Sequence, residues 1–283
     1  MNPPTVSLIV PIYKAEAFLP RFLSCALEQS YPRIQFVFID DGSPDDSIGL
    51  LERTVAQHYP SLKERVTILR QANSGPLAAR MAGIRAATGE YILCADADDW
   101  MRRNMVEKMV KAAMKEDADI VVCNFYRAYK YYNLPNWEKH CSSRSKQLQS
   151  IFAERSAFGY LWNKMVRKTL WEHPQLHLPP CNMQEDLMLM AQFYFLAHKV
   201  RFIRPHLYYY RRDNPSSITN KNPLELDVAI ARNRLDLYHN WRNKGLFEGF
   251  ETEFLRQTAR YVQRTGNEEL AQILRSEGIS MGD

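Results

Sequence analysis

Tyr91-Ile92-Leu93-Cys94-Ala95-Asp96-Ala97-Asp98-Asp99-Trp100 joins four residues of strand character to three carboxylates in four positions. The first four read as a buried strand, so the acidic cluster stands at its carboxyl end. Carboxylates crowded there repel one another and are costly to desolvate. A divalent cation relieves both problems, because hard cations take oxygen ligands, and the same cation can hold a diphosphate. Taken alone, Asp96-Ala97-Asp98 is equally a surface turn.

Its weight comes from what lies upstream. Val6-Ser7-Leu8-Ile9-Val10 is a strand run ending at Pro11, with Pro11-Ile12-Tyr13-Lys14 as the loop at its carboxyl end. Residues 16–29 have helical spacing and stop at Tyr31-Pro32. Phe36-Val37-Phe38-Ile39 is a second strand, followed at once by Asp40-Asp41-Gly42-Ser43, with Ser43 or Asp45 as the cap of a helix to His58. Val66–Leu69 is a third strand, and a helix opens after Asn73-Ser74-Gly75-Pro76. Strand and helix alternating at this spacing predict right-handed crossovers, a mostly parallel sheet and helices on both faces. Ligands of such sheets bind beyond the strand carboxyl ends, where the three polar loops fall together. GxGxxG and GxxxxGK[ST] are both absent, which argues against a dinucleotide oxidoreductase and a P-loop NTPase.

Downstream, residues 102–115 read as a helix with a basic face, 118–123 as a strand, 133–148 as an irregular mobile loop and 187–197 as an apolar helix opened by Glu185-Asp186. Val200 to Tyr210 is strand-like, and the pattern beyond Pro223 is helical. His173 and His177 are four apart, but Pro174 lies between them and no HExxH partner is present, so no zinc site is predicted.

Composition sets the bounds. The chain has 283 residues, 46% hydrophobic and 24% charged, enough for a substantial core. No apolar run approaches the ~20 residues of a membrane span, and no signal peptide is read at the start. Five widely spaced cysteines without a CxxC pair predict reduced thiols in a cytoplasmic protein, with Cys94 and Cys123 in the core. Net charge is −3 over residues 1–100, +6 over 101–200 and +2 over 201–283. The basic excess is either a solvated surface or a face toward anionic lipid or an anionic acceptor.

Together, Val6 to Ser47, Gly75 to Trp100, Trp162-Asn163-Lys164, Glu185-Asp186 and Tyr210-Arg211-Arg212 with Ser217-Ile218-Thr219 resemble bacterial family 2 glycosyltransferases of the GT-A fold. The resemblance covers about residues 5–220. It implies a GT-A domain over 1–220, with a nucleotide-binding half to residue 100 and an acceptor half beyond it, and a helical extension over 221–283. It also implies a nucleotide-sugar donor, expected to be a UDP-sugar, with Mn2+ or Mg2+. Asp41 would accept from the uracil ring, Tyr13 would stack on the base beside Pro11, and Glu16 would lie near the nucleotide. Arg80 would pair with phosphate or with the acidic cluster. In the DxD motif Asp96-Ala97-Asp98, Asp98 would ligate the cation and Asp96 would reach the ribose or the metal through water. Arg211 would neutralise the leaving diphosphate from a flexible segment. Trp162, Asn163 and Lys164 would face the acceptor, although packing is the commoner use of such a Trp. Asp186 is the expected base, with Glu185 second.

The resulting expectation is an inverting hexosyl- or N-acetylhexosaminyltransferase of surface-polysaccharide assembly. It would be cytoplasmic, and peripheral at the inner membrane face if its glycan acceptor is lipid-linked, with the Tyr/Arg/Lys stretch 125–132 toward an anionic membrane. The C-terminal helices leave a homo-oligomer open. A sugar-nucleotide nucleotidyltransferase would need a glycine- and basic-rich loop where Pro11–Lys14 stands. A nucleic-acid binding module is disfavoured by the acidic loops.

Overall fold

The computed structural model describes residues 3–153, 157–214 and 222–279. The chain forms two compact units: Met1–Glu138, Tyr160–Pro174 and Ala197–Asn214 make the first, and Lys139–Gly159, Gln175–Leu196 and Pro215–Asp283 the second. The Ser217-Ile218-Thr219 motif lies outside the described residues.

The first unit is built on the expected parallel strands β1 (Val6–Ile12), β2 (Ile34–Asp40), β3 (Val66–Arg70) and β4 (Tyr91–Cys94), in the order β3-β2-β1-β4. Helices α1 (Leu19–Leu27), α2 (Ser47–His58) and α3 (Pro76–Ala86) make the crossovers. Ile12 pairs with Asp40 and Asp40 with Arg70, which levels the carboxyl ends of β1, β2 and β3. The first strand continues through Pro11 instead of ending there. Alternate residues of a parallel strand address alternate neighbours. Ile12 O accepts from Asp41 N on the β2 side, and Ile9 O from Ala95 N on the β4 side. Pro11 therefore turns its missing N–H toward β4, whose ladder has ended at Cys94 opposite Ile9. At the start of the second helix Asp46 holds the N-cap position without a side-chain capping bond, and the Asp45 carboxylate accepts from Ser47 N at 3.4 Å.

Beyond β4 come the two-residue β5 (Trp100–Met101), α4 (Met105–Glu116), β6 (Ile120–Ala128), β7 (Asn133–Asn136), α5 (Arg144–Phe152), β8 (Lys164–Arg167) and α6 (Lys168–Trp171), then α7 (Glu185–Leu196) and β9 (Val200–Arg211). The sheet continues from β4 through β8, β6 and β9 to β5, with β7 on β6. The eighth strand is antiparallel to both its neighbours, while β6 and β9 run parallel. Part of the predicted mobile loop is thus an ordered hairpin arm and a helix: Asn133–Asn136 pairs with Phe125–Ala128, and α5 begins at Arg144.

The second unit contains α5 and α7 together with α8 (Pro223–Trp241), α9 (Glu251–Thr265) and α10 (Glu268–Ser276). Its core is aromatic. Phe152 lies 4.7 Å from Phe254 and Phe247 4.5 Å from Phe254. The guanidinium of Arg234, fully buried, sits 4.4 Å from the Phe254 ring.

Candidate functional site

Loops at the carboxyl ends of β1, β2 and β4 bring Tyr13, Asp41 and the acidic turn to one edge of the sheet. Tyr13 is 46% exposed, so its ring is open for stacking. Lys14, next to it, adopts a left-handed backbone (φ 51). Only two other non-glycine residues do so among the described residues, Asp117 and Gln184, and Gln184 directly precedes Glu185. Such conformations cost free energy and gather at functional loops.

Asp41 is 3% exposed and already engaged. Its carboxylate accepts from Gln71 Nε2 at 2.8 Å and from the backbone N–H groups of Ser74 and Gly75, both at 2.9 Å. It therefore holds the 71–75 loop against the end of β2, and a carboxylate with about four acceptor sites retains little for a base. Gly42 is required beside it: φ is +72°, and a Cβ there would stand 2.9 Å from Asn73 N. Glu16 is engaged within the loops of this edge. It accepts from Asp46 N at 3.1 Å while its own N–H donates to Asp45 at 3.2 Å, so it ties the loop after β1 to the start of α2.

The acidic turn divides its three carboxylates among three tasks. Asp96 pairs with the buried Arg80 at 2.9 Å. Asp98 accepts from Asn214 Nδ2 at 2.7 Å, and burial, followed by repulsion from Asp96, raises its pKa. Asp99 is 1% exposed. One of its oxygens accepts from Arg211 N at 2.7 Å, and the Tyr208 hydroxyl also hydrogen-bonds to its carboxyl. Burial and the adjacent carboxyls of Asp98 and Asp96 push it well above the usual carboxylate range. Ala97, between them, is buried.

The sequence singled out no separate role for Asp99, Tyr208 or Asn214. All three belong to a clasp between the turn and the end of β9. Tyr208, fully buried, accepts from Asp96 N at 3.1 Å. Arg211 Nε donates to Asp98 O at 2.7 Å, and the guanidinium lies 4.8 Å from Phe18 and 5.2 Å from Trp100. Arg211 is thus the last residue of a strand fixed to the turn, in place of the flexible segment expected. The available signal was the period of two in Tyr208 and Tyr210, which marks one face of β9.

Among the described residues no group of three or more His, Cys, Asp or Glu is placed to hold a metal ion. The turn offers Asp98 and, beside it, Asp96. One or two carboxylates suit a small hard cation whose other positions are filled by phosphate and water. The raised pKa of Asp98 marks a charge that a cation would relieve.

The expected acceptor residues are corrected. Asn163 and Lys164 are 0% and 1% exposed. Lys164 Nζ donates to Glu138 at 2.9 Å and to Asn163 at 2.7 Å, and Asn163 Nδ2 donates to Glu138 at 2.8 Å. Their polar groups are consumed inside the unit. Trp162, 4% exposed, stacks on Tyr208 at 4.6 Å and on Tyr160 at 4.7 Å, so it packs under the clasp. Glu185 and Asp186 occupy the first turn of α7 in the second unit, with Glu185 buried and Asp186 partly open. Burial raises the thiols of Cys94 and Cys123 to about 12, and both are inert core groups.

Comparison with known proteins decides the family. The profile described as Glycosyl transferase family 2 matches residues 7–173, more than half of the chain. The chain belongs to glycosyl transferase family 2. This glycosyltransferase is 29% identical to the glycosyltransferase GlyG of Streptococcus pneumoniae over 95% of its own length and 93% of that protein's. It is 30% identical to the glycosyltransferase EpsJ of Bacillus subtilis over 76% of its length and 63% of EpsJ. Two solved structures establish the GT-A fold. Staphylococcus aureus TarS residues 1–349 with UDP-GlcNAc superimposes with a TM-score of 0.65 at 16% identity, covering 95% of this chain and 83% of that one. The mannosyltransferase PcManGT of Pyrobaculum calidifontis, in complex with GDP-Man and Mn2+, gives 0.60 at 17%, covering 97% and 79%.

Proposed function

We propose that this glycosyltransferase moves a hexosyl or N-acetylhexosaminyl group from a UDP-sugar to an acceptor hydroxyl, with inversion and with Mn2+ or Mg2+. Its role would be in bacterial surface-polysaccharide assembly. The observation that carries the reading is the convergence of an open Tyr13, a buried Asp41 and the Asp96–Asp98 turn at one sheet edge. The nucleotide-sugar complexes of TarS and PcManGT support a donor of this class. Tyr13 would cover the base, and Asp41 would set the loop that edges it. Asp98 would be the direct ligand of the cation, with Asp96 held by Arg80 toward the ribose. A bound cation supplies Lewis-acid stabilisation to the departing diphosphate. Asp186 takes the acceptor proton, with Glu185 as the alternative base. The new C1–O bond forms as the C1–O bond to the diphosphate breaks, and the diphosphate leaves with the electron pair. One displacement inverts the anomeric carbon.

A lipid-linked saccharide acceptor would place the enzyme at the inner membrane face. Thermal shift with UDP, with and without Mn2+, tests the donor site. Wild type is expected to be stabilised by UDP only with the metal. Asp98→Asn is expected to lose that gain and to slow donor turnover by about 10²-fold or more. Equal stabilisation of the variant by UDP and Mn2+ would falsify the assignment of Asp98.

A further inference from the structure

Among the described residues eight large apolar side chains stand exposed, and four of them, Tyr131, Tyr132, Leu134 and Trp137, fall within seven positions of one hairpin. The hairpin joins β6 to β7 through residues 129–132, closed by Tyr129 N donating to Tyr132 O at 2.9 Å. Tyr129 and Tyr132 stack at 4.8 Å, which stiffens the turn and leaves Tyr131, 84% exposed, at its tip. Lys130 Nζ lies 5.2 Å from the Tyr131 ring. Trp137, 63% exposed, meets only the edge-to-face contact of His206 at 5.1 Å among the ring contacts described for it.

Charge completes the pattern. No acidic residue occurs between Asp119 and Glu138, a span that contains Arg127 and Lys130. Glu138 itself is buried against Lys164. Arg212 lies beside the turn, its backbone N–H donating to Ala128 O at 2.8 Å, and its guanidinium donates to the Tyr210 hydroxyl at 2.9 Å. Tyr and Trp with one apolar and one polar end, together with Lys and Arg, suit the headgroup layer of a bilayer. Adding a strand from a protein partner is opposed by Pro135 in the middle of β7, which removes an edge donor.

We infer that the β6–β7 hairpin is an interfacial anchor that seats this enzyme on an anionic lipid surface. Tyr131 and Trp137 enter the headgroup layer, while Lys130, at the turn beside Tyr131, meets its negative charge. The inference deepens the membrane part of the proposed function and rests on it.

The test is sedimentation of the full chain with vesicles of phosphatidylcholine alone or mixed with phosphatidylglycerol. Wild type is expected to sediment with the mixed vesicles and to be released by salt. Tyr131→Ser/Trp137→Ser should lower partitioning about tenfold, and Lys130→Glu about fivefold. Unchanged melting temperatures would show that the variants fold, as exposed positions allow. UDP-sugar hydrolysis without acceptor should match wild type in all of them. Wild type that turns over donor but ignores both vesicles overturns the anchor alone, whereas vesicle binding without turnover overturns the proposed reaction alone. The anchor also falls if the double variant binds like wild type, or if its only defect is loss of a dimer or of retention on immobilised polysaccharide.

Discussion

Lys164 carries its ammonium into a space closed to water, where Glu138 and Asn163 accept its hydrogen bonds. Removing one member of such a pair leaves the other charged, buried and underpaired. Lys164→Met is therefore expected to cost about 3–5 kcal/mol in urea unfolding, and pairing it with Glu138→Leu should recover most of that. The acceptor KM of any folded variant should stay at the wild-type value, because neither group reaches the surface. His206 makes a second residue-scale case. It packs against Tyr126 at 4.9 Å and against Trp137, and burial, then the nearby Arg102, lowers its pKa. The unfolded chain then binds a proton more readily than the folded one. The stability from neutral His206 is fully present above its ordinary pKa of about 6.5 and is lost as pH falls through the lowered folded value. Melting temperature followed from pH 8 to 5 should fall more steeply for wild type than for His206→Gln; parallel curves would remove His206 as the cause.

At the scale of elements, the parallel half of the sheet was legible because its strands are apolar runs closed by turn residues. In the other half β6 and β9 were legible as well, but β5, β7 and β8 were not. The strand β8 opens with Lys164 directly after Asn163, and a polar pair satisfied by a partner 26 positions away looks like a loop in sequence. The fifth strand has two residues, too few to show a period, and β7 carries Pro135. Of the candidate site, the meeting of three strand-end loops at one sheet edge was legible. The clasp was less so, because Asp99–Arg211 and Asp98–Asn214 span 112 and 116 positions. The start of α7 supplies the element-scale prediction. A Cβ on Gly159 would lie 2.4 Å from Leu187 Cα, a backbone atom that cannot step aside. Gly159→Ala should cost about 1–3 kcal/mol and displace the turn that carries Glu185 and Asp186. If Asp186 is the base, turnover to acceptor falls by about 10²-fold while the UDP-dependent thermal shift persists. Loss of both together would place the substitution's effect outside α7.

On the scale of the whole chain, the 221–283 segment read as an appendage, but the compact unit that holds it also takes residues 139–159 and 175–196. Within that unit Phe152 of α5 lies 4.7, 6.0 and 6.2 Å from Phe254, Phe250 and Phe247. The buried Arg234 of α8 donates to Thr258 of α9 at 3.0 Å. Cutting the chain after residue 221 would strip Phe152 of its aromatic partners, at about 1.5–3 kcal/mol for that side chain alone. That is already a sizeable part of the stability of an ordinary domain. An independent appendage predicts a truncated protein that melts as the full chain does after losing one separate transition. A shared unit predicts that α5 and α7 lose their order with the deletion, and that amides of 144–152 and 185–196 exchange rapidly. Hydrogen exchange on the 1–221 chain distinguishes the two, and protection of α7 equal to that in the full chain would restore the appendage reading.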